Sequence, residues 1–211
     1  MYMLIPWNME LSVFFPYDII VPEKSRAGQN DQEFTPLRKS LISEKPALRA
    51  PKGALAMDRA DLIKGLKGLS PSVLRLFSLM PEEKLEWRPV ESMRTLLEVA
   101  NHLAQIPSVD LAILNGAPHA EVQELERALF KTSPAGLGPL WEGGLERLEQ
   151  FYIALSPGEY AGGIGRAFYG HEATYPEWLL EIITHGYHHR SQLFTYLKIL
   201  GAPVDMSTLY S

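Results

Sequence analysis

The sequence contains no cysteine. Disulfide bonds, thiolate metal ligands, cysteine nucleophiles and thiol redox motifs are therefore excluded. Any metal ion would have to be held by histidine, aspartate or glutamate side chains. The lack of cysteine is compatible with a reducing cytoplasm, which is the location that we expect for this protein.

Long apolar runs and runs of basic residues are also absent. No stretch reaches the roughly 20 uninterrupted apolar residues of a membrane-spanning helix. Residues 1–20 are apolar, but they lack a basic segment and are broken by Pro6 and Pro16, so we expect neither a signal peptide nor an anchor. With a formal net charge of -5, the chain is predicted to be soluble and to bind a small molecule, without a nucleic-acid or membrane partner.

Proline divides the chain into two regions. Prolines from Pro6 to Pro51 break every candidate helix in residues 1–56, which we interpret as an irregular extension. At Met57 a helical pattern begins, and residues 57–211 are predicted to form the folded domain. Two interpretations of the extension stay open: it is an over-extended start upstream of Met57, or it is an arm that packs on the domain or on a partner.

Four substantial helices are predicted after Met57, because apolar residues recur there at intervals of three and four. They cover residues 58–80, 95–115, 139–155 and 174–201.

Helix-capping and helix-breaking residues mark the ends of these helices. The second and fourth helices open with a Ser/Thr-x-x-Glu capping box, at Thr95 and Thr174. The first is expected to kink or split at Pro71, and the second to kink at Pro107. Gly201 is expected to end the fourth helix, which is the longest.

The predicted fold class is all-α. No segment alternates apolar and polar residues as a sheet with one exposed face requires. The connection between the second and third helices passes through His119 and a short helix near residues 121–130, and it is too long for a tight turn. We therefore predict a four-helix bundle with one long crossover between these helices. The glycines of residues 161–165 match no phosphate-binding pattern and predict a mobile turn.

Three of the six histidines lie close together on the fourth helix. His185 and His189 are four residues apart, so they project from one face of the helix a single turn apart and can share one ion. His188 points in another direction, which is typical of an exposed or supporting residue.

The face of the fourth helix that carries His185 and His189 is otherwise apolar. It carries Trp178, Ile182, Leu193, Tyr196 and Leu200. Burying two imidazoles in such a stripe is unfavourable unless their nitrogens are satisfied, and a shared cation would satisfy them. His102 lies among core-facing residues of the second helix and is the best candidate for a third ligand.

Three imidazoles suit zinc, nickel or iron better than calcium or magnesium. A set of three leaves coordination positions open, as in sites that activate water or a substrate. The alternative for each histidine is a hydrogen-bonded core residue. His119 and His171 fall in predicted connections, where surface roles are commoner.

Four other side chains are weaker candidates. Glu181 stands one turn before His185 and is expected to orient its ring or complete the metal shell, unless it is simply solvated. Tyr187, Arg190 and Tyr196 are candidates for contact with a substrate or cofactor. Each of them also has an ordinary packing or solvation role.

Two sequence blocks resemble the DinB-like superfamily (DinB/YfiT), which is distinct from the DNA polymerase that shares the DinB name. The first is Trp87-Arg88-Pro89 followed by residues 95–103, TLLEVANHL. The second and more specific block is residues 185–192, HGYHHRSQ, followed by residues 197–201, LKILG. Ser191 stands where the family usually has glycine, and the resemblance covers about residues 57–201.

The resemblance implies a four-helix bundle with a long crossover, a divalent metal on His102, His185 and His189, and often a homodimer. It also implies an activity class. Characterised relatives are metal-dependent transferases or isomerases that use low-molecular-weight thiols such as bacillithiol or mycothiol. Fold similarity does not carry the reaction across.

Three functions therefore compete. The first is transfer of a metal-activated low-molecular-weight thiol to an electrophile. The second is hydrolysis by a metal-activated water with a carboxylate such as Glu181 as base. The third is non-enzymatic, with the metal as a structural cross-link in a dimeric stress-response or binding module.

Overall fold

A computed structural model describes residues 58–210 of the chain. The predicted extension of residues 1–56 and its boundary at Met57 lie outside this part, so the division into two regions stays a prediction. Eight α-helices and two strands occur in the described part, together with two single-turn 3-10 helices (Glu82–Lys84 and Pro134–Gly136). The α-helices and strands are α1 (Arg59–Lys67), α2 (Ser70–Ser78), α3 (Leu96–Leu114), α4 (His119–Leu129), α5 (Leu137–Ala154), α6 (Pro157–Gly162), β1 (Ile164–Arg166), β2 (Glu172–Thr174), α7 (Tyr175–Ile199) and α8 (Met206–Tyr210).

The first helix of the bundle is split into α1 and α2, as its proline predicted. Asp58 caps α1 by accepting hydrogen bonds from the backbone N–H groups of Ala60 and Asp61 at 2.8 and 3.2 Å. Pro71 then lies in the first turn of α2, where a missing N–H costs nothing. The break places Ser70 so that its Oγ accepts a hydrogen bond from Nε1 of the buried Trp141, at 2.8 Å.

Helix α3 is the centre of the bundle and packs on both α5 and α7. Its predicted capping box is present: Thr95 N donates to Glu98 Oε2 at 2.6 Å, and Glu98 N donates to Thr95 Oγ1 at 3.2 Å. The helix runs through Pro107 to Leu114. Most of its residues are buried, so it contacts other parts of the structure on nearly every side.

The long crossover between α3 and α5 is confirmed, and it is fastened to α3. Asn101 Oδ1 accepts from the backbone N–H of Lys131 at 2.6 Å, and Asn101 Nδ2 donates to the Lys131 carbonyl at 2.8 Å. Gln105 Nε2 donates to the carbonyl of Glu126 at 3.0 Å. The crossover contains α4. His119 is the first residue of α4, so it is helical, whereas the sequence placed it in an irregular stretch before a short helix.

A small β-hairpin departs from the predicted all-helical pattern. Strands β1 and β2 pair antiparallel, with Ile164 opposite Thr174 and Arg166 opposite Glu172. At three residues each, they are too short to show alternation in the sequence. The predicted mobile turn at residues 161–165 is therefore the end of α6 and the start of β1. Trp178 Nε1 donates to the Gly165 carbonyl at 3.1 Å and fastens the hairpin to α7.

Helix α7 is the longest described helix, as predicted. Its N-terminus is capped by Thr174, whose backbone N–H donates to Glu177 Oε2 at 2.8 Å. Its C-terminus is followed by Gly201, whose φ of 77° is a left-handed conformation that favours glycine. Among the described helices, none is both long and apolar enough to cross a membrane.

Candidate metal centre

The three predicted histidines meet between α3 and α7. His102 projects from α3, and His185 and His189 project from neighbouring turns of α7. The His102 ring lies 5.1 Å from the His185 ring and 4.3 Å from the His189 ring, between centroids. His189 is buried, and the other two rings are partly buried. The face that helical spacing predicted on α7 is therefore turned toward α3.

The ring nitrogens of this cluster are close enough to share one ion. One nitrogen from each of the three rings lies within 4.8 Å of the other two. His102 Nε2 and His185 Nε2 are 3.2 Å apart. Two nitrogens bound tetrahedrally to zinc at about 2.0–2.1 Å would be roughly 3.3 Å apart, so this pair already has a ligating separation.

Two of the three rings are held by hydrogen bonds on their outer nitrogens. His185 Nδ1 lies 2.9 Å from Asp110 Oδ2, and His189 Nδ1 lies 2.8 Å from Gln192 Oε1. An ionised carboxylate and an amide oxygen only accept, so each Nδ1 carries the proton. Each Nε2 then keeps its lone pair for a metal ion.

Burial favours the neutral form of His102 and His189, which is the form that binds a metal. Burial, reinforced by the neighbouring His185, lowers the pKa of His189 to about 3. Burial, reinforced by His189 and by Arg94, holds the pKa of His102 well below its usual value. A buried set of neutral nitrogen donors fits a borderline divalent cation such as zinc or nickel.

Charged side chains border the cluster. Arg94, just before the cap of α3, is half-buried, and its positive charge lowers the pKa of both His102 and His189. Glu126 is a half-buried residue of the crossover helix α4, and burial raises the pKa of its carboxyl group. Arg94 thus brings a positive charge to the cluster, and Glu126 interacts electrostatically with Arg94 and with Asp110.

Comparisons with known proteins identify the family of this chain. The family model described as the DinB superfamily matches residues 54–193. The chain belongs to the DinB superfamily. No curated protein sequence matches it significantly.

Solved DinB structures resemble the bundle. A protein from Exiguobacterium sibiricum assigned to the DinB family is 27% identical, with a TM-score of 0.60 over 71% of this chain and 95% of that one. A DinB-like protein from Bacillus cereus is 16% identical, with a TM-score of 0.57 over 70% of this chain and 95% of that one. A DinB-like protein from Bacillus subtilis is 16% identical, with a TM-score of 0.51 over 68% and 96%. The two Bacillus proteins support the fold alone.

In this DinB superfamily member Glu181 contacts His171, and not His185 as its spacing on the helix suggested. Its two carboxylate oxygens lie 3.1 and 3.0 Å from Nε2 of His171, at the end of the hairpin. The Tyr169 ring lies nearly parallel to the His171 ring, at 6.3 Å. The outer partner of His185 is Asp110 instead. Glu181 therefore helps to fasten the hairpin to α7.

Asp110 was missed from the sequence, although a signal was present. It is the only Asp, Glu, Lys or Arg between Glu98 and Glu121, in a helix whose residues are mostly buried. A lone acid on a buried helix needs a partner. That partner, His185, lies 75 residues away in sequence and could not be identified without the tertiary structure.

The remaining candidates pack elsewhere. Arg190 is buried, and its Nη1 donates to Ser72 Oγ at 3.3 Å and to the Leu209 carbonyl at 3.4 Å. The exposed ring of Tyr187 packs against the Arg190 guanidinium, at 4.7 Å. Tyr196 donates its hydroxyl to the Arg94 carbonyl at 3.2 Å. These contacts give all three side chains roles in packing α7.

The three other histidines are not part of the cluster. His188 is exposed, with its ring 4.7 Å from the His189 ring. His119 stacks on Phe168 at the tip of the hairpin, with centroids 4.8 Å apart. His171 is held by Glu181 as described. The structure thus separates His188 from His185 and His189, as helical spacing predicted, and it places His119 on α4 rather than in a loop.

Proposed function

We propose that the protein is a metal-dependent enzyme in which His102, His185 and His189 hold one divalent ion, zinc or nickel. The convergence of three ring nitrogens within 4.8 Å of one another carries this proposal. Three protein ligands leave at least one coordination position for a small molecule, as in catalytic rather than structural zinc sites.

The protein's own residues prepare this site for an anionic nucleophile. Asp110 and Gln192 hold two of the rings by their outer nitrogens, and burial favours the neutral form of His102 and His189. The nearby positive charge of Arg94 favours a negatively charged group over its protonated form. A thiol that enters the site would therefore be stabilised as a thiolate.

We propose that the reaction transfers a low-molecular-weight thiol, such as bacillithiol or mycothiol, to an electrophilic substrate. The chain contains no cysteine, so the sulfur has to come from a cofactor. A bound divalent ion supplies Lewis acidity, which lowers the pKa of a thiol. In the transfer the sulfur bonds to the electrophilic carbon, the leaving group departs with its electron pair, and the thiol proton is released.

Hydrolysis is a second candidate, favoured by one observation. Glu126 is a half-buried carboxylate that interacts electrostatically with Arg94 and Asp110, and its raised pKa suits a group that accepts a proton from water. This role was assigned from the sequence to Glu181, which is hydrogen-bonded to His171.

Metal analysis and a thiol-dependence assay test the proposal together. Protein purified without a histidine tag should contain about one divalent ion per chain. Zinc- or nickel-loaded protein should consume an electrophile only when a low-molecular-weight thiol is added. Consumption without thiol would favour hydrolysis, and no consumption under either condition would favour a structural metal.

The triple variant His102→Ala, His185→Ala, His189→Ala is the control. It should lose both the metal and the thiol-dependent activity while the helical circular dichroism signal persists. Metal content that survives in this variant would contradict the proposed ligands.

Assembly and location complete the proposal. We place the protein in the cytoplasm as a homodimer that acts on a small molecule. Sedimentation equilibrium tests the assembly, and a mass of one chain would contradict it.

A further inference from the structure

We propose that Asp110 is a positioning residue: its hydrogen bond to His185 aims that imidazole at the ion and sets the metal affinity of the site. The inference rests on the proposed metal site. It assigns the outer partner of His185 to α3, the helix that also carries His102, rather than to α7.

The contact has the geometry of a charge-assisted hydrogen bond. His185 Nδ1 and Asp110 Oδ2 are 2.9 Å apart, and the two side chains are only 20% and 13% exposed. Salt and water screen such a partly buried pair much less than a surface pair. The bond is therefore strong enough to select one orientation of the ring.

This hydrogen bond also selects the tautomer of His185. A neutral imidazole has one N–H and one lone pair, and an ionised carboxylate can only accept. The proton therefore stays on Nδ1, and the lone pair of Nε2 faces His102 Nε2 at 3.2 Å. Without Asp110, the ring would be free to carry its proton on Nε2, which blocks ligation.

Asp110 differs from the other outer partners in charge and in location. Gln192, which bonds His189, is neutral and lies on the same helix as its histidine. Within residues 58–210, the His102 ring makes a hydrogen bond only to the His185 ring. His185 on α7 thus contacts α3 on both sides of its ring, at His102 and at Asp110. Asp110 is the charged partner of the two, so it helps to fix the two helices in the register that brings the ligands together.

The molecule supplies a matched control in a second carboxylate–imidazole pair. Glu181 contacts His171 Nε2 at 3.0 and 3.1 Å, and it stands one turn from His185 on α7. The substitution Glu181→Ala removes the same chemical group from a histidine outside the cluster. It should therefore leave metal affinity unchanged.

Chelator competition measures zinc affinity in the wild type, Asp110→Ala, Asp110→Asn and Glu181→Ala. Loss of an outer partner typically costs about 10–100-fold in metal affinity, and we expect Asp110→Ala to fall in this range. Asp110→Asn keeps an oxygen that accepts from Nδ1, so it should recover most of the loss. Wild-type affinity in Asp110→Ala would overturn the inference, and so would an equal loss in Asp110→Asn, which would indicate an effect of charge alone.

Nitrogen-15 NMR of the metal-free protein reads the tautomer directly. His185 should carry its proton on Nδ1 in the wild type and in Asp110→Asn, and should lose this preference in Asp110→Ala. The wild-type and Asn spectra decide the question even if the Ala variant does not fold. A wild-type His185 protonated on Nε2 would overturn the inference.

The outcomes distinguish this inference from the proposed function. A wild-type protein that binds no divalent metal would overturn both the function and the role of Asp110 in affinity. Tight metal binding that persists in Asp110→Ala would overturn the role of Asp110 alone.

Discussion

His188 and His189 are neighbours in sequence with opposite surroundings. His189 is buried and faces the cluster, whereas His188 is exposed. Adjacent residues on a helix point about 100° apart, so a substitution at one leaves the other in place. Substitutions at His188 and His189 can therefore be compared: both remove an imidazole, but only the one at His189 removes a proposed metal ligand.

We expect His189→Ala to weaken zinc binding by more than the roughly 100-fold that loss of an outer hydrogen-bond partner costs. The reason is that a direct donor is removed. His188→Ala should keep wild-type affinity. Calorimetric titration of both variants checks this, and equal affinities would show that His189 is not a ligand.

At the residue scale, local spacing carried the prediction of the site. The four-residue interval between His185 and His189 on a helix is enough to place them together. His102 needed its apolar neighbours and the family resemblance, because its partners lie on another helix. The hydrogen bonds of Asp110 and Gln192 to the ligand histidines could not be predicted, because they depend on side-chain directions that spacing does not determine.

At the element scale, the hairpin fits only because of a glycine. A Cβ at Gly165 would lie 2.6 Å from Trp178 Nε1 and 2.9 Å from the Leu114 carbonyl oxygen, and the latter is backbone that cannot turn aside. Gly162, at the end of α6, has nothing within 4 Å of the equivalent position. A Cβ therefore has no room at Gly165 but has free space at Gly162, three residues earlier in the chain.

We expect Gly165→Ala to lower the free energy of unfolding by about 1–3 kcal/mol, because the hairpin must move away from α3 and α7. Gly162→Ala should be neutral or raise it by up to about 1 kcal/mol. Urea unfolding of both variants measures the difference. Equal stabilities would mean that the hairpin is not packed as described.

The crossover depends on one buried amide. Asn101, 2% exposed, accepts from the N–H of Lys131 and donates to its carbonyl. Asn101→Ala should cost about 1–3 kcal/mol and speed hydrogen exchange in residues 126–131. Asn115→Ala removes an amide at the exposed C-cap of α3, whose Nδ2 donates to the Leu111 carbonyl at 2.8 Å, and should cost less than about 1 kcal/mol. Unchanged exchange in Asn101→Ala would contradict this anchoring role.

Capping and breaking residues determined which elements the sequence could reveal. Both capping boxes and the split before Pro71 are confirmed, because each depends on residues within one turn. The hairpin was not foreseen, because its short strands are stabilised by Trp178 and by α3 rather than by their own pattern. The start of α4 at His119 was missed, because Pro118 precedes it without a capping side chain.

At the scale of the whole molecule, the core does not depend on the histidines. Its buried residues come mainly from α1, α2, α3, α5 and α7, and include the large side chains Trp141, Tyr152 and Tyr196. These surfaces are buried with or without an ion. The metal should therefore add stability to a bundle that already folds.

We expect the chelated protein to keep most of its helical circular dichroism signal. Zinc at 1,000 times its dissociation constant should raise the free energy of unfolding by about 4 kcal/mol, since the ion binds only the folded state. Thermal and urea unfolding with and without zinc measure this. Loss of most helicity on chelation would indicate a structural cross-link instead of an open reactive site.

The bundle and its crossover could be predicted for the whole domain because the helices are long and well punctuated. The family model matches residues 54–193 and supports the same part of the chain. The reaction cannot be predicted from the helical pattern or from the family, because substrate choice depends on side chains around the site rather than on the fold.

Helix α3 carries a ligand, a positioning residue and the anchors of the crossover. His102 and Asp110 are eight residues apart, and Asn101 and Gln105 hold the crossover from the same segment. Because each residue advances the helix by about 100°, one inserted residue between His102 and Asp110 would turn the carboxylate away without breaking the helix. In related proteins that use this hydrogen bond, the length of this segment should therefore be preserved more strictly than its composition.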